Sequence, residues 1–553
     1  MNTQAAPSGV GSVPTTPHEA QSPSTAHARS TAQLRKGTPV AGRRQVIVVG
    51  AGVGGLATAI DLATSGVSVL LLERADSVGG KLRTIEIAGH AIDVGPTVLT
   101  MKWVFDELFA KAGRRFDEAV TLHRATTLAR HVFADGSVLD LHQDVEASAA
   151  AIARFAGQRE ADGYRRFVAY ASRIYATVED PFLRSPRPTV ASMVKTAGRI
   201  GMGALLSIDG HRTLWRSLDG FFADPRLKML FGRYATYSGS SPFAAPATLN
   251  VIADVERQGV WTVDGGMRRV AEALRQLALD LGVEICTGAH VAAVLVEAGR
   301  AAGVRLHDDT RLLSDAVVWN GDAEALARGL AGAAATRAVE GKTERSLSAC
   351  TVATVAEIAG TPLLHHTVFF SGDYEAEFTD LAAGRIPRDP TVYVCAQDRD
   401  ASGEKLPGAA AHERLFCLIN APANGDTPDP GDRLEETNAW RTLMDRTLAR
   451  GGLRLLGTKG SVTTTPRDFH RSFPGTGGAL YGPASHGMMS PFARAGATTK
   501  VPGLYLAGGS AHPGAGVPMV VRSGMLAASQ VRSDHGSTWT SSQTDTLGGT
   551  SMR

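Results

Sequence analysis

The chain is predicted to be an α/β protein whose central parallel sheet collects strands from distant parts of the sequence. Three observations predict it. A strand, glycine turn, helix and second strand fill Gln45–Glu73; a strand, glycine loop and helix start fill Gly503–Met519; and an alternating hairpin over Val291–Leu306 leads to an apolar strand at Ala316–Trp319. Apolar runs of four to six residues bounded by glycine are what strands buried on both faces of a parallel sheet require.

The first unit reads QVIVVGAGVGGLATAIDLATSGVSVLLLE. Gln45–Val49 is β-branched and short, so it reads as a buried strand. Gly50, Gly52 and Gly55 give G-x-G-x-x-G, with Gly54 inside the same turn. Gly50 permits the tight turn, Gly52 lets backbone approach a pyrophosphate, and Gly55 lets helix pack on strand. The helix that follows, through Ala57, Ile60, Leu62 and Ala63, offers free N–H groups and a positive dipole end to phosphate. Gly66 ends it, and Val67–Leu72 forms the second strand. Glu73 stands at that strand's tip, eighteen positions after Gly55. A carboxylate there accepts hydrogen bonds from an adenosine ribose and repels a 2′-phosphate, which favours FAD or NAD over NADP.

With 553 residues the chain has room for two or three domains, and a net charge of +3 gives no electrostatic footprint for nucleic acid. Cys286, Cys350, Cys395 and Cys417 form no C-x-x-C pair, so neither a metal site nor a dithiol is indicated; they read as buried small hydrophobes in a reducing compartment. Residues 1–44 are rich in Ser, Thr, Pro and Ala and lack an apolar period. They read as a disordered extension, with a transit-type role as the second reading. The polar stretch 532–553 reads as a loose tail. No run of about twenty apolar residues lacks charge, so no transmembrane helix is predicted.

Two further segments complete the nucleotide-binding pattern. VGGKLRT follows the first unit, where Gly79 and Gly80 turn the chain and Lys81 and Arg83 bring two cations near the tip of the Glu73 strand. In two-dinucleotide-binding flavoproteins a G-G followed by a basic residue crosses the cofactor. Far downstream, Gly508-Gly509-Ser510-Ala511-His512-Pro513-Gly514-Ala515-Gly516 leads into a helix opening near Val517, Pro518 and Met519. Proline is tolerated in a first helical turn. This is a second dipole-oriented anion site, suited to a flavin carbonyl or ribitol. His512 reads either as catalytic or as a residue that orients the loop. In this architecture the strand at Val291 offers backbone atoms to adenine. About 450 residues separate the two glycine loops, so the cofactor domain is discontinuous.

Together these segments resemble the flavin amine oxidase superfamily. GPTVLTMKWVFDELF from Gly95, LFGRYATYSGSSPFAAPATLNVIADVE from Leu230, GVWTVDGGMRRVAEAL from Gly259, HHTVFFSGDYEAEF from His365 and AHPGAGVPMVV narrow the resemblance to the phytoene desaturase and carotenoid oxidoreductase family. The wording is most similar to bacterial 1-hydroxycarotenoid 3,4-desaturases. The resemblance spans about residues 45–531. It implies a two-dinucleotide-binding, Rossmann-like FAD domain from 45–130, 260–330 and 480–531, with an inserted α+β substrate part from 131–259 and 331–479. Arg522 departs from the family pattern, where small residues are common.

The resemblance also implies the chemistry: hydride transfer to flavin from a C–H beside a polyene of an acyclic carotenoid, with oxygen or a quinone as final acceptor. No Ser-His-Asp arrangement or carboxylate pair stands out, so no catalytic side chain is assigned. A carotenoid dissolves in lipid, so a cytoplasmic enzyme attached to the inner face of a membrane is expected. Pro186–Leu218 is the segment whose pattern suits interfacial helices. Competing readings are a phytoene-type desaturase, a carotenoid isomerase or saturase, an amine oxidase, and a lipid-binding chaperone of the GDP-dissociation-inhibitor type.

Overall fold

The computed structural model describes residues 45–187, 198, 208–341, 344–428, 433–490 and 494–539. The 1–44 extension, nearly all of 188–207 within the expected interfacial segment, and 540–553 lie outside these residues.

Five parallel strands form the first sheet, in the order 504–506, 316–319, 45–49, 68–72, 284–286. Their register sets Val46 beside Ala316 and Val69, and Leu504 beside Val317. Every residue of Ala316–Trp319 and Leu504–Leu506 is buried, which explains why these strands read as continuous apolar runs rather than alternating ones. The order places the glycine-turn strand centrally, with its carboxyl end between two strands of distant origin. That is where an open α/β sheet binds ligands.

The glycine-turn helix, Val53–Ala63, is covered by the last helix, Val517–Trp539. Small residues let the two backbones approach. A Cβ on Gly524 would stand 2.4 Å from Gly54 O, and Thr58 Oγ1 donates to both Gly54 O (2.8 Å) and Gly524 O (3.2 Å). Buried Asp61 then accepts from Lys111 (2.6 Å) and from Arg532, tying three helices together through one carboxylate. The last helix therefore runs seven residues past 532, where the sequence suggested a loose tail. Tyr505 donating to Asp534 (2.9 Å) and Arg532 on Asp61 hold this extension against the sheet.

The second part is built on a seven-stranded sheet in the order 453–464, 348–360, 413–421, 392–396, 366–369, 127–132, 138–142. All neighbours are antiparallel except 366–369 beside 127–132. Helices 145–156, 158–178 and 225–232 pack on it through an aromatic cluster centred on Phe167, whose ring lies 4.6 Å from Phe231 and 5.6 Å from both Phe221 and Phe222. The two parts meet where Gln397 exchanges hydrogen bonds with the backbone of Asp93 (3.0 and 2.8 Å) and Arg414 donates to Ala91 O (3.0 Å). All four cysteines are buried free thiols; burial pushes Cys417 up to about 12. No helix among the described residues is long and apolar enough to cross a membrane.

Candidate functional site

The glycine turn closes on itself with no space for side chains. Gly50 adopts φ +97°, and a Cβ on Gly55 would stand 2.0 Å from Gly50 O. One on Gly54 would meet Asn320 Oδ1 at 2.5 Å. Gly52 caps the helix start with no side-chain bond to the first turn, and that turn carries no acid, so its N–H groups are left for an incoming anion. Gly80, at φ +60°, lies across this turn: its Cβ would be 3.1 Å from Gly52 Cα, while Gly79 bridges to Gly52. A glycine cradle opposite bare helix N–H groups fits a pyrophosphate.

Glu73 turns back on the cradle. Its Oε2 accepts from Ala51 N (2.7 Å) and its Oε1 from Ala75 N (2.8 Å), so the carboxylate is fixed against the glycine turn. Ala289 N donates to Glu73 O (2.8 Å), and buried Val291 follows two residues later. Lys81 Nζ donates to Leu480 O and sits 5.2 Å from the Phe473 ring centre. Burial lowers its pKa, and nearby Asp322 opposes the shift. Arg83 lies over Phe469, 5.8 Å from the ring centre, because the strand that begins at Thr84 carries it towards the 466–472 helix. The structure thus brings Lys81 to the cradle's side and packs Arg83 on the neighbouring helix.

The distant loop arrives from the other side of the strand ends. Gly508 takes φ +103°, and its Cβ would be 2.9 Å from Asn320 Oδ1. His512 is buried; its N–H donates to Ala495 O (2.8 Å), and its Nε2 is 3.2 Å from Ser185 O. Burial lowers its pKa, which suits a neutral ring that holds the loop. Pro513 follows, and Gly514 (φ +134°) and Gly516 (φ +110°) shape the turn into Val517, Pro518 and Met519, the first residues of the last helix.

Two residues that motif reading passed over organise these pieces. Asn320 ends the 316–319 strand; its Nδ2 donates to Gly50 O (3.0 Å), while its buried Oδ1, beside Gly54 and Gly508, has no partner. A buried unpartnered acceptor between two ligand-facing loops is itself a sign of a ligand site. Arg494, also buried, donates to Gly509 O (2.7 Å), Tyr481 O (3.1 Å) and Pro483 O (2.8 Å). Burial lowers it to about 10, with Asp322 opposing. Arg522, whose side chain had no reading in the sequence, donates to Glu107 Oε1 (2.8 Å) and Leu183 O (3.1 Å), locking the last helix to the helix 102–111 and to the turn after residue 178.

Comparison with known proteins agrees with this geometry. The family model described as flavin containing amine oxidoreductase matches residues 53–532, most of the chain. The chain belongs to the flavin containing amine oxidoreductases. Within that family it is 46% identical over 514 residues to hydroxyneurosporene desaturase of Rubrivivax gelatinosus, covering 92% of this chain and 97% of that one. It is 43% identical over 493 residues to the hydroxyneurosporene desaturase of Cereibacter sphaeroides, covering 89% and 98%. The solved oxidoreductase from Methanosarcina mazei shares the fold with a TM-score of 0.54 at 15% identity, over 88% of this chain and 100% of that one. As a flavin containing amine oxidoreductase with an ADP-shaped cradle, the protein is an FAD-dependent oxidoreductase.

Proposed function

We propose that this protein is a carotenoid desaturase that introduces the 3,4 double bond into acyclic 1-hydroxy or 1-methoxy carotenoids. The observation that carries this reading is the 46% identity to hydroxyneurosporene desaturase over 92% of the chain, far beyond a shared fold. FAD fits the cradle as follows. Gly50, Gly52, Gly54 and Gly55 approach the pyrophosphate, Glu73 the ribose and Val291 the adenine. Gly80 and Lys81 cross the cofactor. Gly508, His512, Pro513, Gly514, Gly516, Val517, Pro518 and Met519 enclose the flavin end, while Arg83 lies over Phe469 on the neighbouring helix.

Bound FAD supplies a two-electron acceptor for a hydride from an allylic carbon, and loss of a proton from the neighbouring carbon completes the double bond. The polyene spreads the developing charge, so the protein's part is binding, orientation and exclusion of water. The chain supplies these through a rigid site: Asn320 and Arg494 tie its loops together with buried hydrogen bonds, and His512 holds its loop against Ala495. The substrate lives in lipid, which places the enzyme peripherally at the inner face of a membrane, with oxygen or a quinone taking the electrons. Met488 and Met489, adjacent and 58% and 57% exposed, offer an apolar point of contact.

Product analysis tests the assignment. Purified, FAD-loaded protein given a 1-hydroxylated lycopene-like carotenoid is expected to form a product with one more conjugated double bond and to leave phytoene untouched. Turnover of phytoene without action on the hydroxylated substrate contradicts the reading.

A further inference from the structure

The substrate part holds a polar pocket that neither FAD nor a hydrocarbon chain explains. A cavity with room for about one water-sized group is lined by Arg233, Tyr237, Glu256, His366 and Tyr393, set among apolar Val98, Leu128 and Val260. Arg233 and His366 are 7% and 5% exposed, and each carries a buried nitrogen without a partner: Arg233 Nε and His366 Nε2. Much of the remaining polar lining is paired. Arg233 Nη1 donates to Tyr237 Oη (2.9 Å), and Tyr237 and Tyr234 donate to Glu256 (2.6 and 2.7 Å). His366 Nδ1 is hydrogen-bonded to Tyr393 Oη (2.7 Å), which is 2.6 Å from Thr97 Oγ1. An unmet donor and an unmet ring nitrogen, on two residues that line one cavity, are costly unless a bound group meets them.

The pocket adjoins the cofactor site. Gly80 faces Gly52 across the cradle, and a Cβ on Gly95 would stand 1.8 Å from the carbonyl of the next residue, Lys81. Thr97 follows two residues later, at most about 7 Å along the chain. The Tyr393 side of the pocket is thus joined to the Gly80–Lys81 turn of the cradle through Thr97 and Gly95.

We propose that Arg233 and His366 form a specificity pocket for the tertiary hydroxyl at the end of the carotenoid, an inference that rests on the desaturase reading above. An alcohol accepts from Arg233 Nε–H and donates to His366 Nε2 at once. That arrangement puts the ring proton on Nδ1, towards Tyr393, and lets Tyr393 donate to Thr97. Burial, with the neighbouring His365 and Arg233 charges, keeps the His366 ring neutral. A methyl ether accepts from Arg233 but has nothing to give His366, and a deoxy chain does neither. The hydroxyl sits on C1, two carbon–carbon bonds from C3, so a pocket that holds it sets the distance of C3 from the cofactor.

The test compares kcat/KM for 1-hydroxy, 1-methoxy and 1-deoxy versions of one acyclic carotenoid in the holoenzyme. The wild-type protein is expected to prefer hydroxy over deoxy by about a hundredfold or more, with methoxy between. In His366→Leu the hydroxy-to-methoxy preference disappears, and the hydroxy-to-deoxy ratio falls by about tenfold or more. His366→Gln, which keeps a polar atom near the Nε2 position, restores part of both ratios. FAD content and melting temperature establish that each variant is folded. Ratios unchanged in a folded, FAD-loaded His366→Leu overturn the pocket, a structural water being its only occupant, and leave the desaturase reading intact. Failure of the wild-type enzyme to turn over any of the three carotenoids overturns both.

Discussion

At the scale of single residues, one amide stands between the two glycine loops. Asn320 donates to Gly50 O from the end of a neighbouring strand, and its Oδ1 lies against the closely packed Gly54 and Gly508. Asn320→Ala leaves Gly50 O without its side-chain donor and removes the spacer between the two glycine loops. The expected outcome is a loss of about 1–3 kcal/mol in stability and about tenfold weaker FAD binding. Flavin fluorescence titration of the apoprotein checks the second, and wild-type affinity in the variant counts against the role. The placement of Gly50, Gly52, Gly55, Glu73 and Lys81 around one turn was legible beforehand because it depends on spacing within one local unit. Asn320 and Arg494 were not, because a lone polar residue at a strand end or in a loop has no period. Its partners arrive only when strands 45–49 and 316–319 pair in register.

Elements were legible where one period dominated. The glycine-turn unit, the Val291 hairpin and the helix opening at Val517 appear within a residue or two of their expected places. The seven-stranded sheet could not be read this way, since it pairs 366–369 with 127–132 in parallel across more than two hundred residues. A helix that follows strand 366–369 of this sheet carries a titratable group with a predictable effect. Glu377, on helix 374–382, is buried and accepts from Thr391 Oγ1 (2.7 Å); burial pushes its pKa from 4.5 up to about 7, with hydrogen bonds from Thr391 and Asn420 opposing. Between these two values the folded protein holds a proton that the unfolded chain has released. The stability linked to it is therefore full below about pH 4.5 and is lost as pH rises through about 7, by about 3 kcal/mol in all. Glu377→Gln should flatten the fall in melting temperature between pH 5 and 7.5 (roughly the span of that titration) and melt above the wild type at about pH 8. Parallel melting profiles for the two proteins would contradict the buried-carboxyl account.

For the whole molecule, the fold assembles its cofactor domain from both ends of the chain and sets the substrate sheet against it through Asp93–Gln397 and Ala91–Arg414. Arg522 and Asp61 extend that closure to the helix 102–111, so the last helix links cofactor loop and neighbouring helices in one body. The family was legible in the sequence because its wording is spread over nearly the full length. The expected membrane-facing segment, 186–218, falls largely outside the described residues. The central claim is that FAD held in this cradle takes electrons from a carotenoid. Anaerobic mixing of FAD-loaded protein with an acyclic 1-hydroxycarotenoid tests it most directly. Bleaching of the flavin's visible band in step with a red shift of the polyene is the predicted result. A flavin that stays oxidised with every hydroxylated acyclic carotenoid would contradict it.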